Sequence, residues 1–167
     1  RLVAWLRVGK ADDRFANIGE RIRTTLVVAF GQSKILRDRV AGPIHAMIFW
    51  GFLILLFSAL EMILEGFHEG WSFNFLGPVY SAITILTDIF CLLIIVGTMM
   101  SLWRRYVAKV RRLQVEHEKV EAGMILLTIF SIVAALFVQN SLRLHVFSED
   151  FSWAVRPIGR PFGNLLY

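Results

Sequence analysis

Residues 79–103, VYSAITILTDIFCLLIIVGTMMSLW, form an almost unbroken apolar stretch directly after a Gly77-Pro78 breaker. At 1.5 Å per residue, a helix of this length crosses a hydrocarbon core ~30 Å thick with some tilt. Two stretches of equal length flank it: residues 43–67 (PIHAMIFWGFLILLFSALEMILEGF) and residues 120–144 (VEAGMILLTIFSIVAALFVQNSLRL). The sequence therefore predicts an all-α integral membrane protein with three transmembrane helices.

The composition agrees with membrane insertion. The 167 residues are 56% hydrophobic and 19% charged, whereas soluble domains are typically less apolar and more charged. A net charge of +5 would suit nucleic acid, but the basic residues border the apolar stretches, which favours membrane topology and no nucleic-acid partner. The single cysteine, Cys91, lies inside an apolar stretch and is predicted to be a small buried hydrophobe.

The distribution of Lys and Arg predicts the orientation. Residues 1–42 hold nine of them and residues 104–119 hold six, whereas residues 68–78 hold none and residues 145–167 hold two. By the positive-inside rule, residues 1–42 and 104–119 are cytoplasmic, and residues 68–78 and 145–167 are outside. We expect a multi-pass protein of a bacterial-type inner (cytoplasmic) membrane.

Two flanking segments have patterns of their own. Ile18, Ile22, Leu26 and Phe30 recur every four residues, with Arg21 and Arg23 off that stripe. This predicts a basic amphipathic helix that lies on the membrane surface or docks a soluble partner. Residues 145–167, with their prolines and glycines, are predicted to be irregular.

His45 is the first candidate for a functional side chain. It lies one turn inside the predicted helix 43–67, where a neutral imidazole can ligate a haem iron or can simply sit at the interface. Haem in a helical bundle usually needs two axial ligands. Pairing His45 with His117 and His68 with His145 would give two haems. However, His117 and His145 are ~42 Å apart if helical, which places both at or beyond the headgroups.

Charged residues in and beside the spans supply the other candidates. Asp88 lies ~13 Å inside its helix and suits a proton path, a quinone pocket or a buried ion pair. It could instead bond hydroxyls such as those of Thr84 or Thr87. Glu61 and Glu65 are expected to reach toward the outer interface. Arg39, and likewise Arg37, Arg104 and Arg105, could contact haem propionates. The positive-inside rule alone, however, accounts for all four arginines.

The chain resembles a known family along most of its length. The stretches that carry the resemblance are GERIRTTLVVAFGQSKILRDRVAGPIHAMIFWGFLILL (19–56), LGPVYSAITILTDIF (76–90), SLWRRYV (101–107) and NSLR (140–143). They resemble the membrane region of heterodisulfide-reductase-related iron–sulfur oxidoreductases that serve as electron-transfer-flavoprotein:menaquinone oxidoreductases. That region is similar to the gamma subunit of respiratory nitrate reductase, a multi-span cytochrome b.

The resemblance implies haem b, menaquinone as substrate, and a cytoplasmic iron–sulfur domain that takes electrons from a flavoprotein partner. It makes His45, in GPIHAMIFWG, the first axial ligand. The gamma-subunit pattern has a second histidine ten residues on, where this chain has Leu55. The cysteine-rich cluster motifs and a later Pro-Tyr-Ser-Lys-His-type motif are missing from this sequence. The resemblance therefore implies an interior fragment of a larger bundle, with its iron–sulfur clusters outside this chain.

The expected function is electron transfer through haem b between a cytoplasmic iron–sulfur or flavoprotein partner and menaquinone. Two alternatives stay open. One is a haem-free anchor that docks a soluble redox enzyme through residues 1–42. The other is a transporter or channel, with Asp88 and Glu61 on a polar path. Bound haem would separate the electron carrier from the anchor. The spans lack the broken midsections typical of transporter sites.

Overall fold

The computed structural model describes residues 16–68, 70–114, 116–146 and 153–166. The chain divides into two compact units, Arg1–Arg37 and Asp38–Tyr167. In the described part of the first unit, helix α1 (Ile18–Thr25) continues into one π-helical turn, Leu26–Phe30. The four apolar residues of the predicted stripe are exposed: Ile18, Ile22, Leu26 and Phe30. The predicted helix is therefore present, with a widened last turn.

Helix α2 (Ala41–Phe67) opens the second unit. The Asp38 carboxylate begins it by accepting from the Val40 N–H (3.0 Å) and the Ala41 N–H (2.8 Å), both of which lack a partner within the helix. Pro43 falls in the first turn, where a missing N–H costs nothing. Helix α2 ends at Phe67, and a 3₁₀ turn, Phe73–Leu76, leads to the next helix.

Helix α3 (Pro78–Leu102) starts with proline at its first position and runs into a π-helical turn, Trp103–Val107. Helix α4 (Glu116–Val146) follows. Their connection is held by the Tyr106 hydroxyl, which donates to the Lys119 carbonyl (3.0 Å), and by the Gln114 amide, which donates to the Arg105 carbonyl (2.8 Å). In the described residues, three helices are long and apolar enough to span a membrane: α2, α3 with its π turn, and α4 from Lys119.

Helix α3 packs against both α2 and α4. Close approach to α2 depends on glycine: a Cβ at Gly51 would lie 2.5 Å from Ile94, and one at Gly97 would lie 3.3 Å from Ile48. Small residues at such contacts are typical of helix pairs in membranes. The buried core joins all three helices through Leu55, Cys91, Ile94 and Val133. Cys91 is thus a buried apolar side chain, as predicted.

The C-terminal segment corrects one prediction. Residues 145–167 were expected to be irregular, but Gly159–Leu166 form helix α5, which packs against α4. Pro161 is its third residue, in the first turn, where no intrahelical N–H is required. The Phe137 and Phe162 rings lie 5.3 Å apart between the two helices. Proline and glycine therefore mark the start of a short helix in this segment.

Candidate functional site

Buried polar side chains gather at the end of the bundle where α2 ends and α3 begins. They come from α2, α3, α4 and the segment 153–158 that precedes α5, and we call them the polar cluster: Glu61, Tyr80, Asp88, Asn140 and Arg156. Each is at most 7% exposed. Polar groups so deeply buried in an apolar bundle need internal partners, and these partners define the site.

Segment 153–158 is bound to α3 by three polar side chains on one helix face. Ser81 Oγ donates to the Trp153 carbonyl (2.6 Å), the Val155 N–H donates to Thr84 Oγ1 (2.9 Å), and the Ile158 N–H donates to Asp88 Oδ2 (2.6 Å). Residues 81 to 88 of α3 pair with residues 153 to 158 in the same chain order. The segment therefore runs alongside α3 over ~10 Å of the helix axis. We call it the return segment. The polar side chains of α3 thus satisfy backbone groups of an irregular segment that lacks partners of its own secondary structure.

Asp88 also holds the start of α5. Both carboxylate oxygens accept from the Gly159 N–H, at 3.1 and 3.0 Å, in addition to the bond from Ile158. A carboxylate at a helix N-terminus satisfies N–H groups that have no partner within the helix, and it complements the helix dipole. The sequence singled out Asp88, and the structure gives it backbone partners rather than the suggested Thr84 or Thr87 hydroxyls. Its predicted proton or quinone role stays a prediction.

Glu61 does not reach toward the interface as predicted. It is 5% exposed and accepts from the Phe73 N–H (3.0 Å). The physical reason is local: the 3₁₀ turn after α2 folds back and offers its first N–H to the carboxylate. Glu65, four residues on, pairs with Arg143 of α4, and both are about one-fifth exposed. This ion pair forms the rim of the polar cluster.

Arg156 places a cation inside the cluster. It is buried at 7% exposure, and burial lowers the pKa of its guanidinium, while Tyr80, Asp88, Cys91 and Glu61 oppose that change. In sequence terms Arg156 was only one of two basic residues in the last segment. The sequence does contain a sign of its surroundings. Ser81, Thr84 and Asp88 are three or four residues apart on an apolar helix, so they share one face, and that face needs polar partners.

The histidines are not brought together. His45 is exposed in the first turns of α2 and stacks on Phe49 at 6.3 Å, whereas His68 is exposed at the opposite end and stacks on Trp71 at 5.5 Å. His145, in the last turn of α4, has its Nε2 against α5, since a Cβ at Gly163 would lie 2.8 Å from it. The His117 side chain lies outside the described part. Within that part, no three His, Cys, Asp or Glu side chains group as a metal site.

Arg39 is exposed two residues before the start of α2, at the same end of that helix as His45. Both face the surface of the unit and not its three-helix core. A group bound by both would therefore contact the outside of the helix bundle.

The chain matches two curated proteins. One is called "Probable iron-sulfur-binding oxidoreductase FadF", from Bacillus subtilis, at 31% identity over 152 residues, which is 91% of this chain and 21% of that protein. The other is "EtfAB:quinone oxidoreductase" from Syntrophomonas wolfei, at 31% identity over 145 residues, which is 86% of this chain and 20% of that protein. This chain thus spans about a fifth of the length of each relative.

No family model matches the chain. No solved structure is detectably similar to it. The two matches support kinship with an oxidoreductase family, and the likeness to the gamma subunit of nitrate reductase stays a prediction.

Proposed function

We propose that this chain is the membrane part of a quinone-linked oxidoreductase, which passes electrons between a cytoplasmic iron–sulfur or flavoprotein partner and a membrane quinone. The observation that carries this proposal is the extent of the two matches. With 152 of 167 residues aligned, none of the three long helices falls outside the similarity to the iron-sulfur-binding relative. The other relative is named as a quinone oxidoreductase. We take menaquinone as the quinone, as the resemblance implies.

We further propose that His45 supplies one axial ligand to a b-type haem. An exposed imidazole in the first turns of a membrane helix is accessible to a group bound on the outer face of that helix. His68 and His145 lie at the far end, so the second ligand would come from outside the three described spans. Arg39 is placed to contact a propionate. A haem bound there would supply one-electron transfer, and the His45 imidazole would hold it.

Haem content tests this part of the proposal. On protein purified from membranes in detergent, we expect a b-type alpha band in the reduced-minus-oxidised spectrum and about one or two haems per chain by pyridine haemochrome, following the resemblance. His45→Ala should lose most of the band from the haem that it ligates. His68→Ala is the matched control, because it removes another exposed histidine at the opposite end, and it should keep the full band.

The outcomes separate the proposal from its alternative. Unchanged haem in His45→Ala would exclude His45 as an essential ligand. A folded protein with no haem, which still binds its redox partner, would favour a haem-free anchor. Quinone-dependent oxidation of the reduced partner in proteoliposomes tests the electron-transfer proposal itself, whichever residue holds the haem.

A further inference from the structure

A small cavity lies between α3, α4 and the return segment. Its volume is about 10 Å³. It is lined by Tyr80, Asn140, Arg143, Leu144, Ala154 and Arg156. A volume of ~10–15 Å³ is about what one water-sized occupant requires. The cavity therefore has room for one oxygen atom, and only the tip of a larger molecule could enter it.

Two buried donors on the cavity wall need an acceptor. Among the described residues, Arg156 Nη1 and Asn140 Nδ2 have no hydrogen-bond partner. Their side chains are 7% and 6% exposed. Guanidinium and amide nitrogens only donate, so neither can satisfy the other. Leaving a buried donor unsatisfied is costly, and more so when it is charged. Such a cost at two neighbouring groups points to an acceptor between them.

The charges around the cavity decide what kind of acceptor fits. Asp88 and Glu61 act on Arg156, and Glu65 pairs with Arg143. Carboxylates thus already oppose the charge of both guanidinium groups that line the cavity, and a volume of about 10 Å³ leaves no room for a polyatomic anion. A cation is disfavoured because the two unsatisfied groups are N–H donors. The remaining occupant is a neutral oxygen with lone pairs.

We propose that this cavity binds one neutral oxygen acceptor, which accepts hydrogen bonds from both Arg156 Nη1 and Asn140 Nδ2. Two sources share this chemistry: a resident water molecule, or a carbonyl oxygen of a quinone whose ring stays outside the cavity. The second source rests on the proposed function. Arg143 lines the cavity and is one-fifth exposed, so the cavity adjoins the bundle surface at that side chain. An oxygen could enter from there.

Asn140→Leu removes one donor at nearly constant shape and is the principal variant. Gln139→Leu is its matched control, because Gln139 is the preceding residue on α4 and is exposed. Two measurements are made on the purified protein. One is a structure at about 2 Å resolution, with and without menadione, to look for ordered oxygen density within hydrogen-bond distance of both nitrogens. The other is the Kd for menadione, a naphthoquinone, by calorimetric titration.

Each outcome bears on the proposal. An isolated oxygen without menadione, with an unchanged Kd in Asn140→Leu, supports the site and identifies water. A Kd raised at least tenfold in Asn140→Leu but not in Gln139→Leu supports the site and identifies the quinone carbonyl. The proposal is overturned by empty density in both structures or by density continuous with a protein side chain. An anomalous bromide signal at the cavity, from a crystal soaked in bromide, would show an anion there and would overturn it too.

A different experiment tests the proposed function, so its failure can be told apart from the failure of the cavity proposal. If the wild-type protein with its reduced partner never transfers electrons to quinone, quinone-linked activity is excluded. The oxygen density still decides whether the cavity binds a water molecule.

Discussion

At the scale of single residues, Asp88 is the most completely bound carboxylate of the polar cluster. It is 1% exposed and accepts hydrogen bonds from the N–H groups of Ile158 and Gly159. This geometry favours an anchoring role for Asp88, since the oxygens that would carry a proton are occupied by the backbone.

Replacing Asp88 should therefore affect stability first. We expect Asp88→Ala to lower the free energy of unfolding by about 2–4 kcal/mol, because it leaves buried N–H groups unsatisfied and removes one of the two carboxylates that act on Arg156. Asp88→Asn keeps one acceptor oxygen and should lose less. Thermal unfolding in detergent, followed by circular dichroism, measures both variants against wild type.

Electron transfer to quinone distinguishes anchoring from proton transfer. If Asp88 only anchors the return segment, Asp88→Asn keeps turnover within about twofold at temperatures where it is folded. A loss of a hundredfold or more at unchanged stability would be in the range of general acid–base catalysis and would support the proton role.

The sequence could identify Asp88 because an acid in an apolar helix is costly and conspicuous. It could not identify the partners. They are backbone N–H groups about 70 residues away, which any residue type except proline can supply. Arg156 was missed for another reason: it was counted only as a basic residue of a segment predicted to be irregular, although its neighbours Val155 and Ile158 are apolar. Glu61 was misplaced because the turn that binds it, Phe73–Leu76, has no strong sequence signal.

At the scale of elements, the return segment and α5 together pack onto α3 and α4. The docking requires glycine at the contact: a Cβ at Gly159 would lie 2.8 Å from Ser141 Oγ and 2.9 Å from Asp88 Oδ1. Both atoms are held by hydrogen bonds, since Ser141 Oγ donates to the Phe137 carbonyl at 2.7 Å. Neither atom can move away freely.

Gly159→Ala should therefore weaken the docking of α5. We expect a loss of about 1–3 kcal/mol in unfolding free energy, as for overpacking elsewhere. Faster hydrogen exchange should appear in residues 158–166 while α2 keeps its protection. Gly66→Ala is the matched control, because a Cβ there meets nothing within 4 Å, and alanine improves helix propensity by up to ~1 kcal/mol. Equal stability of the two variants would contradict the close contact.

The three long helices were predictable because apolar length alone decides them. Helix α5 was not, because eight residues with two glycines and a proline have little helical propensity of their own. Its stability comes from the Asp88 carboxylate and from packing on α4. Short helices of this kind are specified by tertiary contacts, which a single sequence does not display.

At the scale of the whole molecule, the two proposed sites lie toward opposite ends of α2. His45 and Glu61 are 16 residues apart on this helix, or ~24 Å along its axis. If the basic connection is cytoplasmic, a haem at His45 faces the side of the iron–sulfur partner, and the cavity beside Arg156 faces the outer half of the membrane. Both assignments depend on the predicted orientation, which makes it the most useful global property to measure.

Cysteine labelling tests that orientation. In a Cys91→Ala background, we expect Phe75→Cys to react with a membrane-impermeant maleimide added to intact spheroplasts, because Phe75 is 80% exposed in the predicted outer connection. Lys109→Cys, exposed in the basic connection, should react only after permeabilisation. The unmodified chain is the control, since buried Cys91 should stay unlabelled in both conditions. Labelling of Lys109→Cys in intact spheroplasts, with Phe75→Cys protected, would reverse the orientation. The His45 site would then face outward, away from a cytoplasmic electron donor.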